Sequence, residues 1–160
     1  MKIAIASDHA GFELKGKIKE FIKKHWASKV RVVDYGPDEL VFNDDYPDYV
    51  SKVAKEVSED PLHVKGIVIG ASGQGEAMVS NRYKNVRAGV YYGGTLDVLE
   101  AVRTHNNSNV LSLGARFLTE KEALKAVEIW LTTPFSEDER HIRRNKKIEC
   151  LPHSHTQHHD

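Results

Sequence analysis

"KGIVIGASGQGEAMVSN", residues 65–81, passes from an apolar run of strand length, through a loop with glycines at 70, 73 and 75, into a helix-like stretch. A strand, a tight loop and a helix in that order make the repeating step of a βαβ unit. The step recurs in both directions. Runs of similar length stand at 2–7 (KIAIAS), 29–34 (KVRVVD), 86–91 (VRAGVY) and 109–113 (NVLSL). Short continuous apolar runs are what strands covered on both faces require. Helical spacing fills the gaps: Leu14, Ile18, Phe21, Ile22; then Tyr46, Val50, Val53, Ala54; then Ala123, Ala126, Val127, Trp130, Leu131. Those apolar residues are assigned to the core, and the fold class is α/β with a five-stranded parallel sheet.

The loop itself resists two familiar templates. Gly70 and Gly75 have the spacing of a phosphate-binding G-x-x-x-x-G-K-[ST], but Glu76 and Ala77 follow where Lys and Ser or Thr belong. A dinucleotide fingerprint starting at Gly73 would end on Met78, too large for close helix packing. What remains is a ring of backbone N–H groups at a helix start with a carboxylate beside it. That combination suits proton abstraction next to a developing oxyanion.

At 160 residues the chain reads as one domain, residues 1–151, followed by a His-rich tail, 152–160, expected to be disordered. Lys plus Arg and Asp plus Glu balance at 23 each, so global charge gives no argument for nucleic acid or an anionic membrane as partner. No apolar stretch reaches the roughly 20 residues of a membrane helix, and Cys150 is the single cysteine. A cytoplasmic protein acting on a small molecule is expected. The segment after "TTPFS", "EDERHIRRNKKIEC", is charged and helical in pattern; docking on a second subunit and a solvated terminal helix both fit it.

Ligands of open parallel sheets bind outside the carboxyl ends of the strands. Asp8 and His9 follow the first strand, Ala71, Ser72, Gly73, Gln74, Gly75 and Glu76 the third, and Arg116 the fifth, with His105 and Asn106 at the end of a helix before it. Asp8, His9, Glu76 and His105 are thus expected together at one rim as acid–base groups. Asp8 reads equally as a helix cap, and Arg140 and Arg144, at i, i+4, as solubility charges or a phosphate clamp.

With these residues in view the chain resembles the ribose/galactose isomerase family, the B-type ribose-5-phosphate isomerases in particular. "SDHAGFELK", "DYPDY", "GIVIGASGQGE", "SNRYKNVRAG", "THNNSNVLSLGAR", "TTPF" and "RHIRR" carry the resemblance in order along nearly the whole chain. It implies a Rossmann-like three-layer α/β/α fold with an extra C-terminal helix, and a homodimer with shared active sites, which in turn can pair into a tetramer. It also implies no metal or organic cofactor, and interconversion of D-ribose 5-phosphate and D-ribulose 5-phosphate through an enediolate in the non-oxidative pentose phosphate pathway. Many members resemble "GILICGTGIG" here and use that Cys as base; this chain has Gly70 in its place and Glu76 directly after the last loop glycine, as in a second branch. The resemblance makes Glu76 the proton acceptor and His105 the proton donor for ring opening. Asp8, His9, Ala71–Gly75, Asn106, Arg116, Arg140 and Arg144 become substrate-binding positions, the last two from the partner subunit. Alternatives are an isomerase of allose or galactose 6-phosphate and a non-catalytic sugar-phosphate sensor.

Overall fold

Strands β1 (Lys2–Ser7), β2 (Arg31–Asp34), β3 (Val64–Gly70), β4 (Ala88–Tyr91) and β5 (Val110–Gly114) form one sheet in the order β2-β1-β3-β5-β4. Every pairing is parallel. This is a computed structural model, and it describes residues 1–152. Helices α1 (Phe12–Trp26), α2 (Tyr46–Glu59), α3 (Gln74–Ser80), α4 (Asp97–Thr104) and α5 (Glu120–Thr132) alternate with the strands, and α6 (Glu139–Glu149) closes the chain. The α/β class, the five parallel strands and the extra helix are as the sequence predicts. The tail expected from 152 onward is described only at Pro152; residues 153–160 lie outside the described residues.

Successive strand side chains point to opposite faces, and the two faces differ in bulk. Ile3, Ile5, Ile67, Ile69, Leu111 and Leu113 pack with Ile18 and Ile22 of α1, Leu99 of α4, and Ala126, Val127 and Trp130 of α5. On the other face Ala4, Ala6, Val68 and Val110 meet Val50, Val53 and Val57 of α2. The smaller residues let α2 lie close: a Cβ added at Gly66 would stand 2.7 Å from Val53 Cγ1. Each fully buried Ile, Leu or Val contributes about 1.5–3 kcal/mol, so the two layers together hold the sheet rigid beneath its loops. Leu14, Phe21, Tyr46 and Leu131, assigned to the core from spacing, are only partly buried at its margin.

Strand ends depart from the apolar runs where local hydrogen bonds intervene. The 29–34 run begins as strand only at Arg31, because Lys29 and Val30 both donate to Trp26 O and close the end of α1. The 86–91 run begins at Ala88, where the side chain of Asn81 donates to Ala88 O at 3.1 Å and accepts from Ala88 N at 2.8 Å. That amide satisfies the exposed edge of β4 as a further strand would. The chain leaves β1 for β2 on one side and returns to β3 on the other. The carboxyl ends of β1 and β3 therefore flank a topological switch point, where such sheets bind ligands. Among the described residues no helix is long and apolar enough to cross a membrane.

Candidate active site

Asp8 leaves β1 and its Oδ1 accepts from Ala10 N (2.9 Å) and Gly11 N (3.2 Å), capping a 3-10 turn at His9–Gly11. The cap is real, and it also fixes a carboxylate that is 7% exposed beside the β3 loop. Gly11 permits this closeness, since a Cβ there would meet Ile69 O at 2.6 Å.

His9 is held by a residue the sequence reading did not single out. Asp44 Oδ1 accepts from the His9 backbone N–H at 3.0 Å and lies 2.7 Å from His9 Nδ1; the Asp44 side chain is 4% exposed. A carboxylate only accepts, so Nδ1 carries the proton and Nε2 is the ring atom left for a ligand. Asp44 ends the long loop after β2, which Lys15 ties down by donating to Pro37 O (2.6 Å) and Asp34 Oδ1 (3.0 Å). Asp8, His9 and Asp44 each offer one metal-ligating atom, all within 4.8 Å of one another. Backbone and imidazole donors already bind Asp8 Oδ1 and Asp44 Oδ1, whereas Asp44 Oδ2 is buried without a partner.

The loop from Ala71 to Gly75 is pinned on the neighbouring strand. Ala115 N donates to Gly70 O (2.8 Å), Arg116 N to Ala71 O (3.0 Å), and Ser112 Oγ to Gly73 O (2.6 Å). Gly73 has φ +76°, a left-handed conformation that favours glycine and starts α3. Ser72 Oγ accepts from Gln74 N at 3.3 Å. The Tyr46 hydroxyl lies over Gly75, where an added Cβ would stand 2.5 Å from it. Glu76, in the first turn of α3, is 4% exposed, and its carboxyl turns back over Gly70. A Cβ at Gly70 would fall inside that carboxyl, 2.6 Å even from its farther oxygen. Burial pushes the Glu76 pKa up; its own backbone N–H opposes the rise and the nearby Asp8 charge adds to it. Desolvation thus wins over the helix start. The carboxylate is a stronger base than an ordinary one.

His105 and Asn106 are not at this rim, contrary to the expectation from sequence. They end α4, which runs back from β4 and delivers the chain to the amino end of β5. There Arg87, preceding β4, donates from Nε to Asn106 O at 3.0 Å. Glu76 and Arg116 belong to the carboxyl end, and the five residues of β5 alone separate the two ends by about 16 Å. A residue that precedes a strand of a parallel sheet stands at its amino end; that signal was available and outweighed by nearness in sequence. Helix α6 lies at the same amino end, on its own chain. Asn145 Nδ2 donates to His105 O (3.1 Å), Glu149 pairs with Arg87 and accepts from Asn85 N (3.1 Å), and the His141 ring packs against the His105 ring. Polar contacts hold a helix that has few apolar residues to offer. Arg140 and Arg144 stand exposed on it.

One protomer therefore carries two separate clusters of the candidate residues: Asp8, His9, the Ala71–Gly75 loop, Glu76 and Arg116 at the carboxyl rim, and His105, Asn106, Arg140 and Arg144 at the opposite end. A family model described as Ribose/Galactose Isomerase matches residues 3–148. The chain belongs to the ribose/galactose isomerase family. Probable ribose-5-phosphate isomerase B of Mycoplasma genitalium is 40% identical over 146 residues, 91% of this chain and 92% of that one. Ribose-5-phosphate isomerase B of Mycobacterium leprae is 35% identical over 144 residues, 90% and 85% of the two chains. The crystal structure of ribose-5-phosphate isomerase B from Mycoplasma genitalium with bound ribulose 5-phosphate superposes with a TM-score of 0.86 at 38% identity, covering 92% of this chain and 93% of that one. The Clostridium thermocellum enzyme gives 0.84 at 36% identity, covering 93% and 95%.

Proposed function

We propose that this protein is an aldose–ketose isomerase that interconverts D-ribose 5-phosphate and D-ribulose 5-phosphate, with Glu76 as the base that moves the proton. The observation that carries the assignment of the base is the Glu76 carboxyl, buried at the end of β3 in the space that Gly70 leaves empty, with its pKa raised. The similarity to isomerases of these pentose phosphates over nine-tenths of the chain supports the substrate class.

Isomerisation moves the carbonyl from C1 to C2. The Glu76 carboxylate takes the C2 proton of the open-chain aldose, electrons pass to the C1 oxygen, and the enediolate forms. The proton of the C2 hydroxyl passes to the C1 oxygen and the same carboxyl returns its own proton to C1, leaving a C1 hydroxyl and the C2 ketone. A single base near both carbons suffices, and raising its pKa narrows the gap to the carbon acid. Backbone N–H groups of the loop after Gly70 are the donors for the enediolate oxygens, where one such donor is worth about 2.7–4 kcal/mol in other enzymes. No metal or organic cofactor enters this scheme. His9, with Nε2 free, and Arg116 supply the phosphate side of the carboxyl rim.

Ring opening needs an acid, and His105 is that acid only if it comes from another copy of the chain. We infer a homodimer in which the carboxyl rim of one protomer meets the amino-end cluster of the other, so that His105, Asn106, Arg140 and Arg144 of the partner subunit complete each site. A two-fold axis makes such an arrangement twice, giving two equal sites. Exposed apolar residues around the rim fit burial in this interface: Phe42 is 75% exposed, Met78 68% and Phe117 60%.

The test is turnover of ribose 5-phosphate and allose 6-phosphate by wild type and Glu76→Gln side by side. Activity on the pentose phosphate that disappears in the variant is the expected result. Turnover confined to the hexose phosphate would reassign the substrate, and normal turnover by the variant would remove Glu76 from the mechanism.

A further inference from the structure

His105 is stacked on a second histidine. The ring of His141 lies 4.4 Å from it, centroid to centroid, with the planes 36° apart. The two rings have opposite surroundings: His105 is exposed, whereas His141 is 4% exposed with its Nδ1 2.8 Å from Ser136 Oγ. The charged groups facing His141 are His105 at the end of α4, Asp138 before α6, and Arg140 and Arg144 on α6 itself. Only Asp138 is anionic, on an exposed side chain with Oδ2 3.7 Å away. Burial, then the His105, Arg140 and Arg144 charges, hold the His141 pKa below its ordinary value, and Asp138 offsets this only in part. One turn further along α6, Asn145 donates to His105 O, so the same helix face holds both the ring and the backbone of His105.

We propose that His141 is a positioning residue for His105: a buried ring that fixes the plane of the His105 imidazole. Burial and the neighbouring cations disfavour a charged His141, so the ring that faces His105 is the neutral form. Its effect is on the orientation of His105, the donor for ring opening in the proposed mechanism. The inference rests on His105 being that donor.

The chemistry of the two substrates separates this role from general damage. Ribose 5-phosphate exists mainly as a furanose, and its turnover requires that the ring oxygen gain a proton as its bond to C1 breaks, while the anomeric hydroxyl loses one. Ribulose 5-phosphate cannot close a furanose ring, because O5 carries the phosphate, so exchange of its C1 proton into D2O reports the base alone. His141→Ala is expected to lower ribose 5-phosphate turnover about 10- to 100-fold through misplacement of His105, with exchange from ribulose 5-phosphate unchanged. His141→Phe, which keeps a neutral ring, is expected to stay within about threefold of wild type on both. Equal loss of turnover and exchange in His141→Ala, no loss of turnover in it, or a His141→Phe variant as impaired as His141→Ala would each overturn the proposal. Failure of the underlying assignment would look different: His105→Asn would then turn ribose 5-phosphate over at the wild-type rate.

Discussion

Glu76 is an acid placed where its charge is disfavoured, and that has a cost in stability as well as, in the proposed mechanism, a use in catalysis. Its folded pKa lies above the unfolded value of about 4.3. Below that value the group is protonated in both states and the cost vanishes; as pH rises through the folded pKa, the stability of the neutral form is lost. Glu76→Gln never ionises. It is therefore expected to be more stable than wild type at pH 8, with the gap closing by about pH 4 in denaturant midpoints, and to lose about 10²- to 10⁴-fold in kcat, the usual share of a general base. A stability gap independent of pH would contradict the buried-charge account. Wild-type activity should rise with pH through a midpoint above the ordinary carboxylate range. The partner of this residue is an absence of atoms: a methyl group at Gly70 would overlap the carboxyl. Gly70→Ala is expected to displace the base and reduce kcat about 100-fold, while circular dichroism shows the fold retained.

Between strands and helices, the elements that position the site are the loops, and they are less legible than the sheet. The apolar runs revealed all five strands because β1, β3 and β5 are buried nearly throughout, while the edge strands β2 and β4 are shorter and only partly buried. Their ends were set by contacts that no run records, such as the Asn81 amide on Ala88. Asp44 is a stronger case. It lies 35 residues from His9 and contributes to the site only because Lys15, 3% exposed, fastens the loop after β2. Asp44→Asn keeps an acceptor for the His9 N–H but removes the charge that holds Nδ1 protonated. Since a hydrogen bond to a charged group contributes about 1.5–3 kcal/mol, KM for ribose 5-phosphate should rise about tenfold with kcat changed less. Lys15→Met should act on the same loop from its far end, costing about 1–3 kcal/mol in unfolding experiments by leaving the Pro37 carbonyl without its donor. An Asp44→Asn enzyme with unchanged KM would show that His9 does not depend on this carboxylate.

At the scale of the molecule, the sequence reading gathered its candidate residues at one rim, and the fold puts two of them at the other end of the sheet. "SDH", "GASGQGE" and Arg116 follow strands and were legible as one rim; His105 and Asn106 precede β5, and strand direction alone sends them to the other end. The proposed homodimer turns that displacement into a requirement, because on that reading neither protomer alone has a complete acid–base set. A mixing experiment tests it directly. Glu76→Gln and His105→Asn homodimers are each expected to be nearly inactive on ribose 5-phosphate, as every site lacks one group. Unfolded together, refolded as an equal mixture and assayed, they should form heterodimers in which one site combines both lesions and the other combines both intact residues. Half of the dimers are then mixed and half of their sites are intact, so activity should recover to about a quarter of wild type. If Glu76 and His105 of one chain served the same site, every site would keep one lesion and no activity would return. Dilution should abolish the recovered activity with the same concentration dependence as dissociation of the wild-type dimer, measured by sedimentation.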